Sequence, residues 1–239
     1  MNIKMSHPFP GAFITLEGGE GCGKSTQYDR AVATLRKAYD FVVVSREPGG
    51  TPLGERIRGV VLDPQYKVSP RAEKFLYMAS RVQNIEEIVY PAIKQGKIVV
   101  CDRFIDSSLA YQGGGRELTV EDVLRSNIGA INVQDPEHGL VEIWPDLTIV
   151  YEIDVEEGFR RIEQDGRKLD RLEQQEKDFH ERTREVYLKL AKGDYDIGMD
   201  YHPERFLVLE GRKTKDELEA LTARAIREIL KKKGFPISF

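Results

Sequence analysis

Residues 14–27 read ITLEGGEGCGKSTQ, and within them Gly18, Gly23, Lys24 and Ser25 satisfy the pattern G-x-x-x-x-G-K-[ST]. No other feature constrains the fold as much, because the pattern functions only at a turn from a buried strand into a helix. That context is present here. AFITL (12–16) is a short apolar run of strand type, and KSTQYDRAVATLRKAY (24–39) carries apolar residues at helical spacing. In such a turn glycines let backbone N–H groups converge on phosphate oxygens. Lys24 then reaches the outer phosphates, and the Ser25 hydroxyl is placed to ligate Mg²⁺.

The rest of the chain repeats the same alternation. FVVVS (41–45), KIVVC (97–101), LTIVYEI (147–153) and RFLVL (205–209) are apolar runs that read as strands buried on both faces. Helical patterns separate them at 53–62, 70–95, 119–131, 179–192 and 214–233. Alternating strands and helices require crossover connections, so the fold class is α/β, a parallel sheet covered on both sides. The length of 239 residues fits a single domain spanning 1–239. Residues 162–176 turn almost wholly polar without the Pro or Ser of a linker, which points to a mobile flap, approximately 160–176, on that domain.

Charge and cysteine content remove several function classes. With 36 basic against 40 acidic residues, a broad footprint for nucleic acid is not expected, so any bound anion must be held locally. No apolar run is long enough for a membrane span, and MNIKMSHPFPGAF is too short and too broken by proline for a secretory signal. Cys22 and Cys101 make no disulfide framework and read as small buried fillers, which suits the cytoplasm. The Lys run 231–233 reads as a solvated helix end.

A phosphate loop needs a carboxylate at the end of another strand to hold the metal's water shell. Asp102 closes KIVVCD and is followed by Arg103, whereas its competitor Asp154 closes LTIVYEID with no such neighbour. A GTPase switch would need N-K-x-D, and the nearest string, NVQD at 132–135, lacks the lysine. Arginines are dispersed instead: Arg46 and Arg58, Arg81, Arg103, and Arg160, Arg161, Arg167 and Arg171 in the flap. Each alone reads equally well as a surface residue; together they suit a second phosphate, because arginine forks match phosphate oxygens. An ATP-binding regulatory protein remains the alternative at this point.

FITLEGGEGCGKST, REPGGTPLGERIR, CDRFIDSSLAYQGGGR and RLEQQEKDFHERTREVYLKLA resemble the bacterial-type thymidylate kinases, and the resemblance runs from Phe13 to the last helix. It implies a P-loop kinase fold with five parallel strands and a lid, transfer of the γ-phosphoryl of ATP to dTMP with Mg²⁺, and a homodimer. The ATP site would be the loop of Gly18, Gly19, Glu20, Gly21, Cys22, Gly23, Lys24, Ser25 and Thr26, with Ser25 and Asp102 serving the metal. The loop's inner positions Glu20, Gly21 and Cys22 carry no arginine, so the catalytic arginine would come from the lid, Arg167 or Arg171. Arg103 and Arg58 would hold the dTMP phosphate while Glu47 orients the nearby loop. Arg81, Ser108 and Gln112 would hydrogen-bond the thymine, Tyr111 would pack where a 2′-hydroxyl would go, and Glu20 would face the 3′ side of the sugar. The family's stacking Phe is replaced by Tyr77, with Phe75 two positions earlier, so either ring could stack. A pyrimidine nucleotide kinase of broader acceptor range is the related alternative.

Overall fold

The structure, a computed structural model, describes residues 6–195, 198–237 and 239; residues 1–5 of the opening stretch lie outside them. The chain runs β1 (Ala12–Gly18), α1 (Lys24–Ala38), β2 (Val42–Arg46), α2 (Pro52–Leu62), α3 (Pro70–Asn84), a π-helical turn (Ile85–Val89) and α4 (Tyr90–Lys94). It continues through β3 (Ile98–Asp102), α5 (Ile105–Ser108), a second π-helical stretch (Leu109–Gly115), α6 (Val120–Ile131), and the strands β4 (Asn132–Asp135) and β5 (Gly139–Glu142). β6 (Leu147–Glu152), α7 (Val155–Asp165), α8 (Lys177–Lys192), β7 (Phe206–Glu210) and α9 (Lys215–Lys232) complete it.

β2, β3, β1, β6 and β7 form a five-stranded sheet in that order, every neighbouring pair parallel. β1 sits at the centre and is buried along its whole length. Its side chains alternate between two apolar layers: Phe13 faces the layer that holds Val99, Phe104, Leu109 and Leu190, while Ala12, Ile14 and Leu16 face α1 and α9. The edge strands are less covered, and Val44 of β2 and Val208 of β7 are partly exposed.

Helix starts follow local chemistry. Thr51 and Ser69 accept from backbone N–H groups at the N-termini of α2 and α3, each followed by proline, and Thr214 with Glu217 makes a reciprocal cap on α9. The α1 start differs: Gly23 precedes it in a left-handed conformation (φ 88°), and no side chain caps the exposed N–H groups.

Register brings the functional loops to one rim. Leu16 of β1 and Arg46 of β2 both pair with Asp102 of β3, so the carboxyl ends of the three strands open side by side. Two features lie outside the sequence pattern. The antiparallel pair β4–β5 was not marked by its short, mixed strings NVQD and GLVE. Lys233 is also no solvated end: its side chain is buried against Asp146 at 3.0 Å, and burial lowers its pKa.

Among the described residues no helix is long and apolar enough to cross a membrane. Both cysteines are buried and free.

Candidate active site

At the rim of the sheet a cleft of about 740 Å³ runs from the glycine loop, past the ends of β2 and β3, to the lid segment. Its donor end is the loop between β1 and α1, and every residue from Gly19 to Thr26 lines it. Gly21 (φ 66°) lies so close to α7 that a Cβ there would meet the Gly158 carbonyl oxygen at 2.0 Å, and a Cβ on Gly158 would meet the Glu20 oxygen at 2.2 Å. The loop backbone is thereby seated against α7, with only glycine between.

Lys24 donates to Asp102 Oδ1 on the cleft floor. Burial works to raise the Asp102 carboxyl, but the charges of Lys24 and Arg103 outweigh it and hold the group below its ordinary value. Ser25 is exposed at the start of α1. The described residues form no dedicated metal cage. An exposed hydroxyl and a carboxylate held below its ordinary pKa, both lining one cleft, fit Mg²⁺, which takes few protein oxygens and completes its shell with water and phosphate. Asp154, the competing carboxylate, is bound to Arg212 and Arg184 and is not part of the cleft wall.

Arg103 joins the two ends of the site. It holds a left-handed backbone (φ 68°), unusual for a residue with a Cβ, and its Nη1 donates to the Gly18 oxygen at 2.8 Å. Its guanidinium stacks over the Tyr111 ring, 5.1 Å from the centroid, and the Tyr111 hydroxyl donates to Glu20 Oε1 at 2.5 Å. Burial pushes the Glu20 carboxyl up, against the pull of Arg103 and Tyr111.

Beneath Arg103 lies a group that the sequence reading missed. Glu17, fully buried in β1, accepts from Phe104 N (2.7 Å), Ser107 Oγ (2.6 Å) and Tyr187 O–H (2.9 Å). Burial, then the neighbouring Asp106, pushes its pKa up to about 7. A charged residue inside an otherwise apolar strand was the available signal.

At the acceptor end Arg58, Glu47, Tyr77, Tyr111 and Gln112 line the cleft. Arg58 is anchored by donation to the Pro48 oxygen at 3.0 Å. Glu47 accepts from Arg81 Nε (2.8 Å) and Asn84 Nδ2 (3.0 Å). Arg81 and Ser108 lie one layer deeper: Arg81 is 1 % exposed and donates to Ser108 Oγ at 3.0 Å and to Asn127, so neither is on the cleft wall. Of the three residues read as base contacts, only Gln112 meets the cleft directly. Tyr77 lines it, whereas Phe75 is 53 % exposed on the outside of α3.

The lid residues divide the same way. Arg167 lines the cleft and grips Glu173 through both Nη atoms at 2.7 and 2.5 Å. Arg161 also lines it, while Arg160 is exposed and paired with Glu157. Arg171 points away, donating to the Val61 oxygen and to Glu73 Oε2, both at 2.6 Å. Leu172 is buried, so the polar flap docks on α2 and α3.

The arrangement can hold two phosphates end to end: one on the uncapped start of α1 with Lys24, the other between Arg58 and Arg103. A flat aromatic ring and an amide stand further along.

A family model described as thymidylate kinase matches residues 16–199. The chain is 45 % identical to a thymidylate kinase of Deinococcus radiodurans over 218 residues, covering 91 % of this chain and 97 % of that one. It is 39 % identical to one of Halalkalibacterium halodurans, covering 92 % and 98 %. The crystal structure of a thymidylate kinase from Ehrlichia chaffeensis superposes with a TM-score of 0.68 at 27 % identity, over 90 % of this chain and 98 % of that chain.

Proposed function

The chain belongs to the thymidylate kinase family, and from that premise we propose that it moves the γ-phosphoryl group of ATP onto dTMP, giving dTDP and ADP in the supply of dTTP. The observation that carries this reading is the position of Arg103, whose side chain touches the phosphate loop and the acceptor-side Tyr111 at once.

A 5′-phosphate oxygen of dTMP attacks the γ-phosphorus as the bond to the β,γ-bridging oxygen breaks, and ADP leaves with that electron pair. Little covalent chemistry falls to the protein, so positioning and charge neutralisation dominate. Loop N–H groups and Lys24 hold the donor phosphates, and Arg58 with Arg103 holds the acceptor phosphate. Ser25 and Asp102 would hold Mg²⁺, which when bound would supply charge neutralisation for the phosphates. Arg167 is the lid arginine assigned to the transferring group, because it lines the cleft where Arg171 does not.

Tyr77 is assigned to stack on the base, with Gln112 bonding its edge and Arg81 and Ser108 supporting from behind. Tyr111 fills the 2′ position, and Glu20 faces the 3′ side. We assign the enzyme to the cytoplasm and to a homodimer. Support for pairing comes from Leu53 and Val60 on α2 and Phe75 and Val82 on α3, each pair two turns apart on one exposed helix face.

The deciding measurement is kcat/KM for dTMP, dUMP, dCMP and UMP with ATP and Mg²⁺. Loss of the single methyl makes dUMP poorer by roughly 10 to 200-fold, not inert. Discrimination against dCMP is steeper, and UMP fails. If dCMP or UMP equals or beats dTMP, the acceptor is a broader class of pyrimidine nucleotide.

A further inference from the structure

Glu73 in the first turn of α3 has no place in the proposed chemistry, and the cleft wall does not include it. It is fully buried, yet it carries an unusual load of donors. Oε1 accepts from Gln112 Nε2 at 2.8 Å and from Arg116 Nε at 3.3 Å. Oε2 accepts from Arg171 Nη2 at 2.6 Å and from Arg116 Nη2 at 3.1 Å. Arg116 in turn donates to Gln175 Oε1 at 2.6 Å, on the far side of the lid. One carboxylate thus holds a residue of the acceptor pocket and the docked lid together.

The orientation of Gln112 follows from this contact. A carboxylate only accepts, so the Gln112 amide must turn its NH₂ toward Glu73. Its carbonyl oxygen is left buried with no protein partner, on a side chain that lines the cleft. A buried oxygen in that state favours a ligand that brings an N–H donor, as the thymine ring N3–H does; the ring nitrogen of cytosine brings a lone pair instead.

We propose that Glu73 is a positioning residue that links reading of the acceptor's base to docking of the lid, an inference that rests on the dTMP reading above. A donor bound at Gln112 Oε1 polarises the amide and strengthens its bond to Oε1 of Glu73, which fixes the carboxylate that receives Arg171. By linkage, a docked Arg171 favours the same Gln112 orientation. The correct base thereby holds the lid shut over the transferring phosphoryl group and keeps water out.

Two readouts on the full-length protein test this. The first is the rate of trypsin cleavage in the lid, at Arg167 and Lys168, with and without dTMP and without ATP. The second is the ratio of kcat/KM for dTMP over dCMP. In the parent protein dTMP slows cleavage. In Glu73→Gln, whose side chain can offer Gln112 either a donor or an acceptor, dTMP no longer slows it, and the ratio narrows by about tenfold or more. Arg171→Met cuts only the lid arm and leaves Glu73 to hold the Gln112 amide, so dTMP protection is lost while the ratio narrows less than in Glu73→Gln.

A folded Glu73→Gln with parent-like protection and ratio overturns the proposal. Should Glu73→Gln fail to fold, Arg171→Met decides alone, and retained dTMP protection in that variant overturns the proposal. Turnover of dTMP by the parent protein tests the activity itself, whereas protection is read without turnover, so the two readings fail separately.

Discussion

Lys24 of the phosphate loop and Asp102 at the end of β3 are ion-paired, so the two groups assigned to ATP and its metal neutralise each other. On the proposed reading, Lys24 would exchange that partner for phosphate oxygens of ATP, and Asp102 would be freed to help hold Mg²⁺. Lys24→Ala is expected to abolish transfer while leaving the fold intact, because the side chain, though buried, lines the cleft and belongs to neither apolar layer. Steady-state turnover and thermal unfolding check this; activity within about tenfold of the parent would remove the loop assignment.

Glu17 gives a dependence on pH. A carboxyl whose folded pKa is raised binds its proton more tightly in the folded chain. The stability it adds is complete below its ordinary value of 4.5 and is lost as pH rises through about 7. Melting temperature measured between these limits should therefore fall more steeply with pH in the parent protein than in Glu17→Gln, which cannot titrate. Parallel curves would show that Glu17 is ionised throughout.

For the lid, Arg167→Ala is predicted to lower kcat toward the roughly 10³ to 10⁵ that an arginine finger contributes, with the KM for dTMP changing little. Glu173, which holds Arg167, should reproduce part of the loss when replaced by Gln. A near-normal kcat in Arg167→Ala moves the role to Arg161, the other lid arginine on the cleft wall.

Tyr111 separates ring from hydroxyl. Tyr111→Phe keeps the ring at the sugar but leaves Glu20 without its donor, so exclusion of UMP should persist while unfolding free energy drops by about 1 to 3 kcal/mol. Tyr111→Ala opens the 2′ position, and the UMP to dTMP ratio of kcat/KM should rise by about tenfold or more. An unchanged ratio in the alanine variant would place the sugar elsewhere.

The five sheet strands were legible because each is a short apolar run without polar alternation, although burial on both faces holds for the inner strands and not for the edge strands β2 and β7. The phosphate loop was legible because its chemistry requires fixed spacing. α7 was half hidden: Val155, Phe159 and Ile162 keep a helical stripe, but acidic and basic residues crowd between them. The helix read over 70–95 is interrupted at Ile85–Val89 by a π-helical turn that no residue type announces. Site residues on the rim were recognisable as types, but depth was not. Nothing in the string separates Arg81, sealed behind Glu47, from Arg58 on the wall. Glu73 looks like an acid that favours a helix start, and its partners Gln112, Arg116 and Arg171 come from two distant segments, so only folding reveals its role.

The contact between Gly21 and Gly158 restricts how this site can vary. When two bulky residues collide, a smaller residue at one position can usually accommodate a larger one at the other. Here both positions already carry the smallest residue there is, and a Cβ on Gly21 would strike the Gly158 backbone while one on Gly158 would strike the Glu20 carbonyl just before Gly21. No second-site change within the pair can rescue the first. Variation at the donor end is left to positions with room, such as Gly19, around which an added Cβ would meet nothing within 4 Å. The loop and the helix that leads into the lid are therefore bound to drift together or not at all.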